Sequence, residues 1–222
     1  MNTTRKFAVI LAGCGVRDGA EIQEAVMALY AIAKTNSSYE VFAPDINQYH
    51  VINHYTGQPT EETRNVLVES ARIARGKIRP LSEFNAQDFD ILMFAGGFGV
   101  AKNLCTYAFD GADCTVNPEV EKAVITMHDA GKPIGSLCIS PVILAKVLDK
   151  VTITMGQDQS AIRNVTAMGA SHRVTGAREI VIDRKNKVVT SPCYMLDSGI
   201  VDIAEGAMNT VNALIKLSEN LP

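Results

Sequence analysis

The chain has 222 residues and a formal net charge of −3, with 47% hydrophobic and 20% charged residues. This length suits one domain with a full core, which we assign to residues 1–222. The charge excludes a broadly basic surface of the kind that binds nucleic acid or an anionic membrane. No run of about 18 apolar residues predicts a membrane-spanning helix. We therefore expect neither a nucleic-acid partner nor a membrane.

The first residues and the cysteines bear on where the protein resides. The start, MNTTRKFAVILAG, has two basic residues but passes directly into a short apolar run, unlike a signal peptide. The cysteines are odd in number and include no CxxC pair, which is typical of free thiols in a reducing compartment. They are Cys14, Cys105, Cys114, Cys138 and Cys193. We therefore expect a cytoplasmic protein.

Hydrophobic patterning predicts strands that alternate with helices. In chain order we expect a strand at 6–12, a helix at 20–34, a strand at 39–44, a helix at 61–75 and a strand at 89–97. The first helix places Ile22, Val26 and Leu29 at helical spacing, so these residues are predicted to face the core. Residues 45–60 lack clear periodicity, and long loops of this kind often cover sites.

The second half of the chain continues the alternation. We expect a helix at 117–131, a strand at 132–138, a helix at 142–148, a short strand at 151–155, a hairpin at 179–192 and a closing helix at 199–220. Such alternation favours an α/β fold around a mostly parallel sheet. Ligands of these sheets bind at the carboxyl ends of the strands, where the strand order reverses.

Cys138 stands at the corner between a buried strand and a helix, in GSLCISPVIL. A helix N-terminus lowers the pKa of a thiol, and a sharp strand-to-helix turn lifts a nucleophile clear of the sheet. The glycine usually found two residues beyond the nucleophile is replaced by Ser140. The pattern fits a nucleophile elbow, and it also fits a buried, inert cysteine.

Glycines and carboxyl groups at neighbouring strand ends provide partners for this thiol. In AGGFG, Gly96 and Gly97 either form a tight turn or bring the Gly97 N–H to an oxyanion hole with that of Ile139. Glu21 follows the first strand, either as the capping-box partner of Asp18 or as a general acid/base beside the thiol.

Other candidates for the pocket are Cys14, in GCG at the end of the first strand, and His54, on the irregular loop. Cys14 is a rival nucleophile without a helix start directly after it. His54 is the histidine best placed for a site. No two histidines have the spacing of metal ligands on one helix face, so no metal is predicted.

Several segments resemble the ElbB family, whose members are called enhancing-lycopene-biosynthesis proteins and whose eukaryotic relatives are mitochondrial. These segments are LAGCGVRDGAEIQEAV, INHYTG, ETRNVLVESARIARG, GGFGVAKNL, DCTVN and PIGSLCISP. The resemblance covers nearly the whole chain. The family belongs to the PfpI/ThiJ superfamily, which is related to class I glutamine amidotransferase domains.

The resemblance implies a flavodoxin-like three-layer sandwich with Cys138 at a nucleophile elbow, Glu21 as its acidic partner and Gly97 at the oxyanion site. It implies a homodimer and a cofactor-free, glutathione-independent glyoxalase that converts the α-oxoaldehyde glyoxal to glycolate, an activity that partly reflects protein deglycation. Many PfpI-type members carry a histidine after the cysteine, whereas Ile139 follows it here. This departure weakens the protease and glutaminase interpretations. The alternative function is a non-enzymatic module of the same fold that senses oxidants through Cys138 or supports a partner.

Overall fold

The computed structural model describes residues 4–219. Its nine strands are β1 (Lys6–Ile10), β2 (Ser38–Ala43), β3 (Ile78–Pro80), β4 (Ile91–Phe94), β5 (Ile134–Leu137), β6 (Thr152–Ile153), β7 (Ser171–His172), β8 (Val181–Asp183) and β9 (Val188–Ser191). Its seven α-helices are α1 (Ile22–Lys34), α2 (Val66–Ile73), α3 (Tyr107–Asp110), α4 (Pro118–Asp129), α5 (Pro141–Val147), α6 (Gln159–Ala167) and α7 (Ile200–Ser218).

Seven strands form one sheet in the order β3-β2-β1-β4-β5-β9-β8, and β6 pairs with β7 in a separate parallel pair. Within the large sheet only β8 is antiparallel, because it forms a hairpin with β9. The chain moves outward from β1 through β2 to β3, and then returns to start β4 on the other side of β1. The strand order therefore reverses between β1 and β4, which is where ligands of such sheets bind.

Buried side chains cover both faces of the sheet. One cluster includes Ile10, Phe42 and Phe94, and the other includes Val9, Val41 and Met93, so neighbouring residues of a strand point to opposite layers. A strand that is buried on both faces appears in sequence as a continuous apolar run. The predicted flavodoxin-like α/β sandwich is confirmed. Among the helices of the described residues, none combines the length and apolar character needed to cross a membrane.

The predicted orientation of helix α1 is right for Leu29, which is buried, and wrong for Ile22 and Val26. Ile22 and Val26 are 44% and 42% exposed, whereas Ala25 and Ala28 are fully buried. The helix therefore packs through its small residues, and small side chains let a helix backbone approach its neighbours closely. Among these buried positions of the helix is an acidic residue, Glu24.

Other differences concern element ends and short elements. The helix predicted at 61–75 is confined to Val66–Ile73, and β3, α3, α6 and β7 were not predicted. The closing helix ends at Ser218, and residue 220 of that prediction lies outside the described residues. The hairpin prediction at 179–192 is confirmed by the antiparallel pairing of β8 with β9.

Candidate active site

Cys138 occupies a strained turn between β5 and α5. Its φ of 58° lies in the left-handed region, which is rare for a residue with a side chain. The Cys138 N–H donates to the Ser191 carbonyl oxygen at 2.9 Å. The Ser140 hydroxyl donates to the Leu137 carbonyl oxygen at 2.7 Å and lies 2.6 Å from the Ser136 hydroxyl. These buried contacts hold the turn, so Ser140 stabilises the elbow at the position where a glycine is usual.

The glycine loop after β4 lies directly over the Cys138 side chain. The Gly97 N–H acts to lower the pKa of the Cys138 thiol. Gly97 has a φ of 101°, and a β-carbon there would collide with the backbone of residues 19–21. A β-carbon on Gly96 would collide with the Cys138 β-carbon and lie 3.0 Å from its sulfur. Only glycine allows this approach at both positions.

The carboxyl group closest to the thiol belongs to Glu24, which was not among the predicted site residues. Glu24 is fully buried in the first turn of α1. Its Oε1 accepts from the Tyr194 N–H at 3.0 Å, whereas its Oε2 is buried without a hydrogen-bond partner among the described residues. The Gly96 α-carbon packs against both side chains, because a β-carbon there would collide with Glu24 Oε2 as well as with Cys138. Glu24 is therefore the acidic partner of the thiol in this structure.

Burial controls the ionisation of both groups. Desolvation raises the pKa of Glu24 to about 8 from its ordinary value of 4.5, despite the opposing hydrogen bond from Tyr194. The Glu24 side chain is therefore a neutral hydrogen-bond donor at neutral pH. Desolvation also raises the pKa of the Cys138 thiol, and the Glu24 charge adds to this effect. The structure thus contradicts the expectation of a thiol held ionised by the helix N-terminus.

A cavity of about 570 Å³ opens over this site. Cys138 is only 7% exposed, and that small exposed area faces the cavity. The wall includes Glu21, Gly97, Phe98, Ile139, Tyr107, Asp158, Asn164 and Tyr194. Among the described residues, no lysine, arginine or histidine lines it. The cavity therefore presents carboxyl, amide and aromatic groups, without a cationic side chain.

Glu21 lies on the cavity wall and begins helix α1 as its N-cap. Its Oε2 accepts from the Glu24 N–H at 2.6 Å, and its own N–H donates to the Gly96 carbonyl oxygen at 2.9 Å. Burial raises the pKa of Glu21, although three backbone N–H groups of the helix start oppose the shift. The predicted capping box with Asp18 is wrong, because Asp18 lies outside the helix and accepts from the Ile52 N–H at 2.6 Å.

Residue 24 was identifiable from the helix start. A helix that begins with Glu21 as its N-cap places Glu24 at the third helical position, where an acidic side chain is common. The predicted helix starts at residue 20, two residues before the observed start, and the prediction gives Glu24 no role. Tyr194 and Asn164 were also missed, since they come from a short turn after β9 and from the unpredicted helix α6.

His54 is not part of this cavity. Its Nε2 accepts from the Arg17 N–H at 3.2 Å and lies 3.7 Å from Asp18 Oδ1, and its Nδ1 lies 3.0 Å from the Ile52 carbonyl oxygen. Both ring nitrogens therefore connect the loop after β1 with the irregular loop. His54 supports these loops and does not reach the Cys138 cavity.

Cys14 is likewise absent from the cavity wall. It is partly exposed, and burial together with the nearby Glu69 charge raises its pKa. The structure therefore brings together Cys138, Glu21, Gly96, Gly97 and Ile139 from the predicted set. It separates them from Cys14 and His54.

Comparison with known proteins gives close relatives. The human protein "Glutamine amidotransferase-like class 1 domain-containing protein 3, mitochondrial" is 46% identical over 223 residues, which cover 96% of this chain and 83% of that protein. The rat "ES1 protein homolog, mitochondrial" is 45% identical over 223 residues, covering 96% of this chain and 84% of that protein. No protein-family model matches the chain.

Solved structures also share the fold of this chain. An isoprenoid biosynthesis protein with an amidotransferase-like domain from Ehrlichia chaffeensis is 34% identical, with a TM-score of 0.89, and the match covers 95% of this chain and 99% of that one. Drosophila melanogaster DJ-1beta shares the fold at 16% identity and a TM-score of 0.56, with 99% and 98% of the two chains covered. The chain therefore shares its fold with a solved amidotransferase-like domain at 34% identity, and with DJ-1beta at the level of the fold.

The expected cytoplasmic location is wrong. The finding that overturns it is that the human, rat and zebrafish relatives are all named as mitochondrial proteins. A signal-peptide pattern does not discriminate between compartments inside the cell. The identity of 46% over 96% of the chain decides the family: the protein belongs with the ES1 proteins and glutamine amidotransferase-like class 1 domain-containing protein 3.

Proposed function

We propose that this protein is an ElbB-type, cofactor-independent glyoxalase that converts glyoxal to glycolate. The observation that carries the proposal is the pairing of Cys138, at a positive-φ elbow, with the fully buried Glu24 carboxyl at the floor of a cavity. A strained nucleophile beside a carboxyl group of raised pKa is typical of an active site, since neither feature stabilises the fold.

The first step is addition of the Cys138 sulfur to one aldehyde carbon of glyoxal. The thiol proton passes to the carbonyl oxygen, so that the product is a neutral hemithioacetal. The neutral Glu24 carboxyl hydrogen-bonds to the sulfur as it develops negative charge, and the Gly97 N–H donates to the same atom. These donors compensate for the desolvation that raises the pKa of the resting thiol.

The second step moves hydrogen between the two carbons of the bound substrate. The Glu21 carboxylate, on the cavity wall, removes the proton from the hemithioacetal carbon and gives an enediolate. Return of that proton to the neighbouring carbon, with transfer of the hydroxyl proton to the other oxygen, forms a thioester of glycolic acid. Water hydrolyses the thioester, which releases glycolate and regenerates the thiol. The two carboxyl groups thus have separate roles, which follow from their different burial.

The wall of the cavity favours a small uncharged substrate. Glu21 and Asp158 contribute carboxyl groups, and no cationic side chain of the described residues balances an anionic substrate. A substrate carboxylate that enters such a site loses its hydration without gaining a counter-charge. The α-carboxylate of glutamine meets this obstacle, whereas glyoxal carries no charge. The cavity therefore supports an oxoaldehyde substrate over ammonia release from glutamine.

The test is glycolate production from glyoxal without glutathione, by the wild type, Cys138→Ala and Cys14→Ser. We expect Cys138→Ala to lose turnover and Cys14→Ser to retain it, because Cys14 lies outside the cavity. Glutamine should release no ammonia in the same samples. Full turnover by Cys138→Ala would refute the mechanism, and glutamine hydrolysis would replace the substrate assignment. The homodimer implied by the resemblance stays a prediction.

The alternative function, an oxidant sensor acting through Cys138, is less well supported by this geometry. Sensor thiols are exposed and readily ionised. Cys138 is 7% exposed and its pKa is raised by burial, so both properties oppose rapid oxidation by peroxide.

A further inference from the structure

We infer that Cys105 and Cys114 form a second functional site, a dithiol that two-electron oxidants such as hydrogen peroxide convert reversibly to a disulfide. Both residues are free, buried cysteines. Cys105 is bridged to Val116, two residues beyond Cys114, so the side chains of Cys105 and Cys114 lie on the same side of the pairing, and each thiol shifts the pKa of the other. Neither residue lines the Cys138 cavity, so the two thiols are separate from the Cys138 thiol.

The backbone holds the two thiols together across a short loop. Cys105 pairs with Val116 in an isolated antiparallel bridge. Next to it, the Thr106 N–H donates to the Thr115 carbonyl oxygen at 2.9 Å, and the Thr115 N–H donates to the Thr106 hydroxyl at 3.0 Å. These contacts bring the two ends of the segment 106–113 together. The fold therefore places the two thiols close to each other.

The two thiols differ in chemical character. Contact with Cys105 and the Lys146 charge lower the pKa of Cys114, and the Asp110 charge opposes the shift. The Lys146 ammonium is positioned by its hydrogen bond to the Ala112 carbonyl oxygen at 3.1 Å. Contact with Cys114 and burial raise the pKa of Cys105, whose S–H donates to the Val100 carbonyl oxygen at 3.3 Å. Cys114 is therefore the attacking thiolate and Cys105 the resolving thiol, a division that suits disulfide formation.

Oxidation of Cys114 requires local displacement of its surroundings, because the residue itself is 1% exposed. Its neighbours Asp113 and Thr115 are both exposed, so the backbone at Cys114 lies next to the surface. The same segment forms part of the Cys138 cavity, since Tyr107 and Gly111 line its wall. A disulfide between residues 105 and 114 would therefore covalently join the two ends of the segment that carries this wall.

The oxidation balances without a cofactor. The Cys114 thiolate attacks one oxygen of hydrogen peroxide and the O–O bond breaks, which gives a sulfenic acid and hydroxide. Hydroxide takes the Cys105 proton and becomes water. The Cys105 thiolate then attacks the Cys114 sulfur, the S–O bond breaks, and the departing hydroxide takes up a proton from solvent. Overall two thiols lose two hydrogens, and one peroxide becomes two waters.

The experiment is peptide mapping of the full chain, without reductant, after reduction and treatment with hydrogen peroxide. We expect a peptide pair linked through Cys105 and Cys114 that disappears after dithiothreitol. The linked pair should be lost completely in Cys105→Ser and Cys114→Ser and retained in Cys14→Ser and Cys138→Ala. Retention in Cys138→Ala shows that the result does not depend on the proposed function.

Three outcomes would overturn the inference. The first is stable sulfenic or sulfinic acid at Cys114 without the link to Cys105. The second is a disulfide from either residue to a different cysteine, and the third is oxidation of Cys14 or Cys138 while the pair stays reduced. Because mapping of the wild type alone distinguishes all three, a serine variant that fails to fold does not leave the question open.

Discussion

Replacement of Glu24 by glutamine should change how stability depends on pH. Burial raises the pKa of Glu24 to about 8 in the folded protein, against an ordinary value of 4.5. Between these values the folded state holds one proton that the unfolded chain has released. This contribution to stability is complete below the unfolded pKa and is lost as the pH rises through the folded pKa. Glu24→Gln keeps the shape and the acceptor for Tyr194 but cannot ionise.

The size of the effect follows from the two pKa values. One extra proton in the folded state lowers the free energy of unfolding by about 1.4 kcal/mol for each pH unit. From about pH 5.5 to about pH 7.5, with partial ionisation near the upper end, the loss is about 2.5 kcal/mol. Glu24 is fully buried, so solvent screening does not reduce this figure.

The assay is urea unfolding of the wild type and Glu24→Gln at both pH values, with reductant present. Other titrating groups are common to both proteins, so the difference between their slopes reports Glu24. Glu61→Gln serves as the matched control, because this carboxyl group is exposed, and it should follow the wild type. Parallel curves for the wild type and Glu24→Gln would refute a neutral buried Glu24, and with it the proposed hydrogen bond to the sulfur.

Two further changes test the site. Gly96→Ala places a methyl group against Glu24 Oε2 and Cys138. We therefore expect glyoxal turnover to fall by at least about tenfold while the far-UV circular dichroism is retained. Unchanged kcat/KM would show that this contact does not position the thiol. His54→Ala should keep the kcat of the wild type and lose about 1 kcal/mol of stability, since only the contacts between two loops are removed. Loss of turnover in a normally folded variant would show that His54 takes part in the reaction.

The sequence predicted most of the sheet because buried parallel strands leave a signal that is local. Continuous apolar runs indicate β1, β4 and β5. The residues that follow these strands include Gly96 and Cys138, and they lie at the carboxyl ends of the strands, where the site is. The elbow was also predictable, since a strand, a cysteine and a Ser-Pro helix start follow one another in the chain. β3, with three residues, was too short to produce a pattern.

The acidic partner of the thiol depended on the tertiary structure. Glu21 and Glu24 are both acidic residues in the first turn of one helix, and nothing local shows which of them faces the sulfur. The rotation of α1 decides this, because packing through Ala25 and Ala28 turns Glu24 inward and leaves Ile22 exposed. Apolar spacing alone predicts that Ile22 and Val26 are buried together with Leu29, and only Leu29 is.

Local sequence thus determined the order of the strands and helices along the chain and the type of residue at each strand end. Which of those ends meet, and which side chains lose their water there, was decided by packing between segments distant in sequence. His54 lies on a predicted loop and Cys138 at a predicted strand end, but of the two only Cys138 lines the cavity. The ionisation of Glu24 follows from the same packing, because desolvation is a property of the surroundings and not of the residue.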